Sequence, residues 1–140
     1  MNAYQNLNSQ LDEITIKDIH FGYDNNRFTV KELVSKYIDR IKDVDQSGPL
    51  LNSIIVINPD ALATADSLDE IHMLGKTKGP LFGIPLLLKD NIDVRGKMPT
   101  TAGSRILKDS FPLRDSWVAK KLKASGAIIL GKTNLSEWAN

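Results

Sequence analysis

Lys89 follows three leucines, Leu86, Leu87 and Leu88, and precedes Asp90. Where water is excluded the charged form of a lysine is disfavoured, and the neutral amine that results can accept a proton. A serine hydroxyl needs such an acceptor when no histidine activates it. Lys89 is therefore the candidate base of the chain. The alternative reading is that Lys89 lays its stem along apolar surface and keeps its amine in water, or against Asp90 or Asp93.

The other reactive residue types are thinly spread. With no Cys there is no thiolate nucleophile, disulfide framework or cysteine-ligated metal site. The two histidines, His20 and His72, stand far apart and show no Asp, Glu or Ser pattern that would mark a triad, so both read as structural or exposed. Trp117 and Trp138 have no glycine-rich cradle beside them and read as core or surface anchors rather than cofactor platforms. The string Gly126 to Thr133, GAIILGKT, fits the pattern G-x-x-x-x-G-K-[ST]. A phosphate cradle needs those intermediate residues to be a loop after a strand. Here Ala127-Ile128-Ile129-Leu130 reads as a strand after a helix, and the match as accidental.

Which elements would carry these residues? Thr29 and Glu32 have capping-box spacing, and Leu33, Val34, Tyr37, Ile38, Ile41 and Val44 recur on one face, so a helix runs from Thr29 to Gly48-Pro49. Ser53 to Ile57 is β-branched and apolar on both faces, as in a short buried strand. Asn58 is expected to cap a helix with Pro59 in its first position, with Leu62, Ala65, Leu68 and Ile71 inward and an end before Gly75. After a loop over Lys76 to Gly79, Ile84 to Leu88 is a second strand, entered through Pro85, with Lys89 at its C-terminal end. Ligand sites in open α/β sheets lie at that end. Asp90 to Arg114 is polar, contains Gly and Pro, and is long for a structureless loop. Asp115 or Ser116 caps a helix through Ala124, with Val118 and Leu122 inward, and Ala127 to Leu130 is a third strand. Strand, crossover helix and strand argue an α/β fold with a mostly parallel sheet and flanking helices.

Composition agrees with a globular α/β chain. The 140 residues are 41% hydrophobic and 25% charged, and Lys plus Arg exceed Asp plus Glu by one, with the signs interspersed. No field favours a polyanion, so neither nucleic acid nor a membrane surface is an expected partner. The first twenty residues lack the apolar run of a signal peptide and no membrane span is visible, from which a cytoplasmic protein is expected.

Four stretches together carry a resemblance. GPLFGIPLLLKDN (79–91) resembles a Gly-Pro-Leu-x-Gly-Ile-Pro segment leading into Lys-Asp-Asn, and TTAGSRIL (100–107) a Thr-Thr-x-Gly-Ser segment. DSWVAKKLKASGAIILGKTNLSEWAN (115–140) is similar to Asp-Ala-x-x-Val, Gly-Ala-x-x-x-Gly-Lys-x-Asn and Glu-Phe-Ala elements, and LNSIIVINPDALATADSLD (51–69) to a Leu-Asn-Ala and Ala-x-x-Leu-Asp pattern. In this order they resemble the amidase-signature family over roughly residues 29–140.

The resemblance implies a partial amidase-signature fold, mostly parallel or mixed in its sheet, with residues 1–140 as the N-terminal fragment of a single domain and 1–28 as a partly irregular or helical lead-in. It implies acyl transfer by a Ser, cis-Ser, Lys triad in which Lys89 takes the lysine position, with a small-molecule amide as substrate and no cofactor or metal. Ser104, Ser110, Ser116, Ser125 and Ser136 match neither catalytic serine of the family and read as cap and turn residues. The 140 residues alone are therefore expected to be inactive. Two other readings stay open. One is a likeness to the A-type component of the tRNA-dependent amidotransferases, against which NLSEWAN (134–140) speaks mildly. The other is a non-catalytic fragment that self-associates into a homo-oligomer through an uncovered sheet edge or apolar faces.

Overall fold

The computed structural model describes residues 11–76 and 79–139. The first ten residues of the lead-in, two residues of the 76–79 loop and the final residue of the NLSEWAN stretch lie outside the described residues. The elements are helix α1 (Ile16–Asp24), helix α2 (Val30–Arg40) running into a π turn (Ile41–Asp45), strand β1 (Ile54–Ile57), helix α3 (Ala61–Met73), strand β2 (Pro85–Lys89), helix α4 (Trp117–Ala124) and strand β3 (Ile128–Thr133).

Both early helices are started by local chemistry. The Thr15 hydroxyl accepts from the Asp18 amide and Asp18 returns the bond to the Thr15 amide, and Thr29 and Glu32 repeat the arrangement at α2. Asp69 of α3 adds a second, non-local cap to α2. Its carboxylate accepts from the Val30 and Lys31 amides at 2.7 and 3.0 Å, and so ties the two helices together. Val30, Leu33 and Val34 are fully buried beneath them against Ala61, Ala65, Phe82, Ile84, Ile128 and Leu130. Each such aliphatic side chain contributes about 1.5–3 kcal/mol by leaving water.

The start of α3 differs from the expectation. The helix begins at Ala61, not Pro59, and its N-cap residue is Asp60, whose side chain makes no capping bond. Asn58 instead accepts from the Asp60 amide through its side-chain oxygen and donates to Ile129 O, both within 3.0 Å. An Asx turn and a tie to the third strand thus take the asparagine that the sequence suggested as a cap.

The sheet has the order β1-β3-β2, with β2 and β3 parallel and β1 antiparallel to β3. It is mixed, as the family resemblance allows, and not mostly parallel as the strand-helix-strand pattern alone suggests. Strand β2, the α4 crossover and β3 form the expected βαβ unit, while β1 enters from the opposite direction. Nor is β1 buried on both faces, since Ile55 is 40% exposed. Gly131 lets β1 and β3 close, because a Cβ there would stand 2.5 Å from Val56 O. Strand β3 is longer than expected and takes in Gly131, Lys132 and Thr133.

Helix α4 starts on the Ser116 hydroxyl, which accepts from the Ala119 amide. Its buried residue is Ala119, with Leu122 partly covered, whereas Val118 faces outward. Together with Val94, Met98, Leu88 and Ile129, Ala119 makes a second apolar cluster. No described helix is long and apolar enough to cross a membrane.

Candidate functional site

The parallel strands β2 and β3 end side by side, Lys89 opposite Thr133, and three segments converge there: 89–92, 99–104 and 133–139. The Asp90 amide donates to Thr133 O at 3.1 Å, Ile92 N to Lys89 O at 2.9 Å, Ala102 N to Asp90 O at 2.9 Å, and Trp138 N to Ala102 O at 2.8 Å. Every link is a backbone bond: the Asp90 amide and carbonyl are held by partners from other segments, and the Lys89 carbonyl by a turn within its own segment.

At the centre of this junction lies a buried ion pair. Lys132 and Asp90 are both 0% exposed, with Lys132 Nζ 3.0 Å from Asp90 Oδ1. The ammonium also donates to Thr100 Oγ1 at 3.1 Å and to Pro99 O at 3.5 Å, which uses its three protons. The other carboxylate oxygen accepts from the Thr101 amide at 3.0 Å and from the Thr101 hydroxyl. Two charges taken out of water are tolerable only when their remaining bonds are made, and here they are.

Lys89 itself is placed where the sequence puts it, on the last residue of β2, but its side chain is exposed. The exclusion of water invoked for it is not present within the described residues. Nor does its ammonium pair with Asp90, which is taken by Lys132. Lys132 was missed as a site residue because GKT invited comparison only with a phosphate cradle. The structure puts Lys132 inside β3, with its backbone in the sheet. The signal available was a lysine in an otherwise apolar strand, which calls for a buried acid.

The 90–114 connection is long but not structureless. Val94 and Met98 are buried under α4. Ser116 N donates to Asp93 O, and Arg95 N to Asp115 Oδ1 at 2.8 Å. Partial burial acts to raise Asp115, but the Lys123 ammonium 2.8 Å away, together with the Arg95 amide, holds its carboxyl below the usual range. Thr101, Ala102, Gly103 and Ser104 then turn sharply, with Ala102 and Gly103 both at positive φ. A Cβ on Gly103 would meet Leu135 O at 2.8 Å. Ser104 is 2% exposed, and its hydroxyl has no hydrogen-bond partner among the described residues.

Both histidines lie against backbone carbonyls. His20 Nε2 lies 3.0 Å from Phe82 O, and His72 Nε2 3.0 Å from Tyr23 O. Tyr23 donates to Gly83 O, and burial, reinforced by the Asp69 charge, pushes its phenol well above the ordinary tyrosine range. Ser116 caps α4 and the Ser125 hydroxyl returns to Lys121 O, whereas Ser104 sits at the start of a short 3-10 turn (Arg105–Leu107) without a side-chain capping bond. Trp117 and Trp138 lie on the surface, and Lys121 Nζ stands 5.5 Å from the Trp117 ring centre. Among the described residues no group of three His, Cys, Asp or Glu side chains is placed to hold a metal ion.

The chain is similar to known proteins over nearly its whole length. The family model described as Amidase matches residues 32–140. A probable amidase of Arabidopsis thaliana is 45% identical over 132 residues, which is 93% of this chain and 25% of that protein. The A-type component of a glutamyl-tRNA(Gln) amidotransferase from Alkaliphilus metalliredigens is 44% identical over 130 residues, 93% of this chain and 26% of that protein. Among solved structures, the native peptide amidase of Stenotrophomonas maltophilia superposes with a TM-score of 0.87 at 42% identity, over 91% of this chain and 26% of its own. An amidase family protein of Bacillus anthracis gives 0.91 at 37% identity, over 99% and 28%. The chain thus spans about a quarter of the length of each.

Proposed function

The chain belongs to the amidase family, and from that premise we propose that it is the N-terminal portion of a carboxamide hydrolase in which Lys89 is the general base. The observation that carries this reading is the place of Lys89 at the C-terminal end of β2, on a backbone fixed by bonds to β3 and to the 99–104 turn. In the proposed reaction Lys89 takes a proton relayed through a cis-serine from the nucleophilic serine. The serine oxygen attacks the amide carbon, the C–N bond breaks as the amine leaves with a proton, and water releases the acyl group.

Neither serine has a counterpart among residues 1–140, so this chain by itself is expected to turn over no amide. In a longer polypeptide that carries it together with the serine segments, Lys89→Met should abolish hydrolysis of simple carboxamides. It should leave stability within about 0.5 kcal/mol, because the side chain is exposed. Amide turnover by the 140-residue chain alone would refute the division of labour. Turnover by the longer Lys89→Met protein would refute the base. With Lys89 as the base, the water around its exposed side chain is to be excluded in the longer polypeptide by residues other than those described.

Amide transfer is supported by one observation, the 44% identity to the amidotransferase component, which is nearly equal to that of the amidase relative. The NLSEWAN stretch does not by itself separate the two. Co-purification with partner proteins, and ammonia-dependent transfer rather than hydrolysis, would favour it. Self-association of the 140 residues is favoured by the sheet order, since β1 and β2 each have one side unpaired by any described strand. Sedimentation as a monomer at high concentration would count against it.

A further inference from the structure

We propose that Lys132 and Asp90 are positioning residues for Lys89: the buried pair fixes the direction in which Lys89 leaves the sheet. The inference rests on the reading of Lys89 as the base. One peptide unit separates Lys89 from Asp90. The Asp90 amide is bonded to Thr133 O, its carbonyl to Ala102 N, and its carboxylate to Lys132 and Thr101. With the backbone held on both sides, only the rotamers of Lys89 itself are free.

Stability alone gives little reason for a charged pair at this place. Within the sheet the neighbours of Lys132 are apolar, Leu88 on one side and Val56 on the other, and replacing a buried ion pair by an apolar pair of similar size is commonly neutral or stabilising. What an apolar pair lacks is direction. The carboxylate reaches across to the Thr101 amide and the ammonium to Thr100 and Pro99, so the pair sets the 99–104 turn in one register against the end of β2. That turn carries Ser104, whose buried hydroxyl has no partner among the described residues, next to the same strand end. Displacing a reacting group by about 1 Å costs on the order of 10²-fold in rate, so a clasp of this kind has a catalytic consequence beyond stability.

The test separates positioning from mere support. In the 140-residue chain, the paired replacement Lys132→Met with Asp90→Leu removes both charges and keeps the volume. Amide resonances of 89–91 and 99–104 are expected to shift while those of α2 and β1 stay. Unchanged amides at 89–91 would overturn the proposal. Should the paired variant not fold, Thr101→Val, which replaces only a hydroxyl by a methyl, is expected to move the same amides by a smaller amount, and unchanged amides at 89–91 would again overturn it. In the longer, hydrolytic polypeptide the paired variant should lose about 10²-fold in kcat with KM changed less than about twofold. Full activity there, with Lys89→Met inactive, overturns the positioning role alone. Full activity of Lys89→Met overturns the base itself.

Discussion

Replacing Lys132 by methionine leaves the Asp90 carboxylate in a place without water, and the loss of stability should be large. Asp90 and Lys132 are both fully buried, and the ammonium is the carboxylate's one cationic partner among the described residues. Removing one member of such a pair costs about 3–5 kcal/mol, because the remaining charge keeps its desolvation without its compensation. Two hydrogen bonds from Thr101 remain to hold the carboxylate, which places the expectation nearer the lower figure. The methionine fills the space of the lysine stem, so no cavity adds to the loss. For a chain of this length about 3 kcal/mol corresponds to a fall in Tm on the order of 10 °C. Urea unfolding followed by fluorescence and circular dichroism together would measure it, with an unchanged m value showing that stability and not compactness has moved. Adding Asp90→Leu should recover part of the loss, since it removes the buried charge but leaves the Thr101 amide and hydroxyl without their acceptor. A single variant that loses less than about 1 kcal/mol would refute the reasoning, since it would mean that water or a proton reaches Asp90 at little cost.

Asp45 accepts from Ser53 N at 2.7 Å, from the Ser53 hydroxyl and from Ile54 N, and the Ser53 hydroxyl in the first place holds its carboxyl below the usual range against a smaller effect of burial. Its contribution is therefore complete above the unfolded value of about 3.9 and is lost as pH falls through the lower folded value, so Asp45→Asn should flatten the fall of Tm between about pH 5 and pH 2. An equal slope in the variant would contradict this. Asp69→Ala, which uncaps the Val30 and Lys31 amides, should cost about 1 kcal/mol in urea unfolding and raise hydrogen exchange in the first turn of α2 above that in α1. Gly103→Ala forces a side chain into a left-handed conformation against Leu135 O, and should cost about 1–2 kcal/mol while shifting the amides of 135–138; a neutral variant would mean that the turn is not pressed against that segment.

What could be read from the sequence was mostly what is local. The Thr29–Glu32 capping box and the Ser116 cap need only residues three apart, and both are present. The amidase resemblance agrees with the family match over residues 32–140. Strand direction was not legible, because Ile54 to Ile57 has the same β-branched pattern whichever way it runs. Its antiparallel pairing is fastened at both ends by distant residues, Asn134 N bonding to Ser53 O and Asn58 to Leu130 O and Ile129 O. Lys132 was illegible for a related reason. Its partner stands 42 positions away, and no periodicity of either segment announces a pair that only the sheet brings together. The exposure of Lys89 agrees with the second of the two readings its sequence allows, an amine kept in water, and of the three preceding leucines only Leu88 is buried.

The order β1-β3-β2 also has a consequence in time. The strand at the centre of the sheet is the last of the three to be synthesised, so on the ribosome neither β1 nor β2 has a neighbour among the described strands until Ile128–Thr133 has emerged. The nascent chain up to the end of α4 must wait with two apolar strands unpaired, and closing β1 onto β3 then spans more than half of the chain. Such distant pairing is slow. The capping boxes of α1 and α2, which need no distant partner, give this early chain its first fixed structure, and the arrival of β3 turns those separate helices and strands into one cooperative unit.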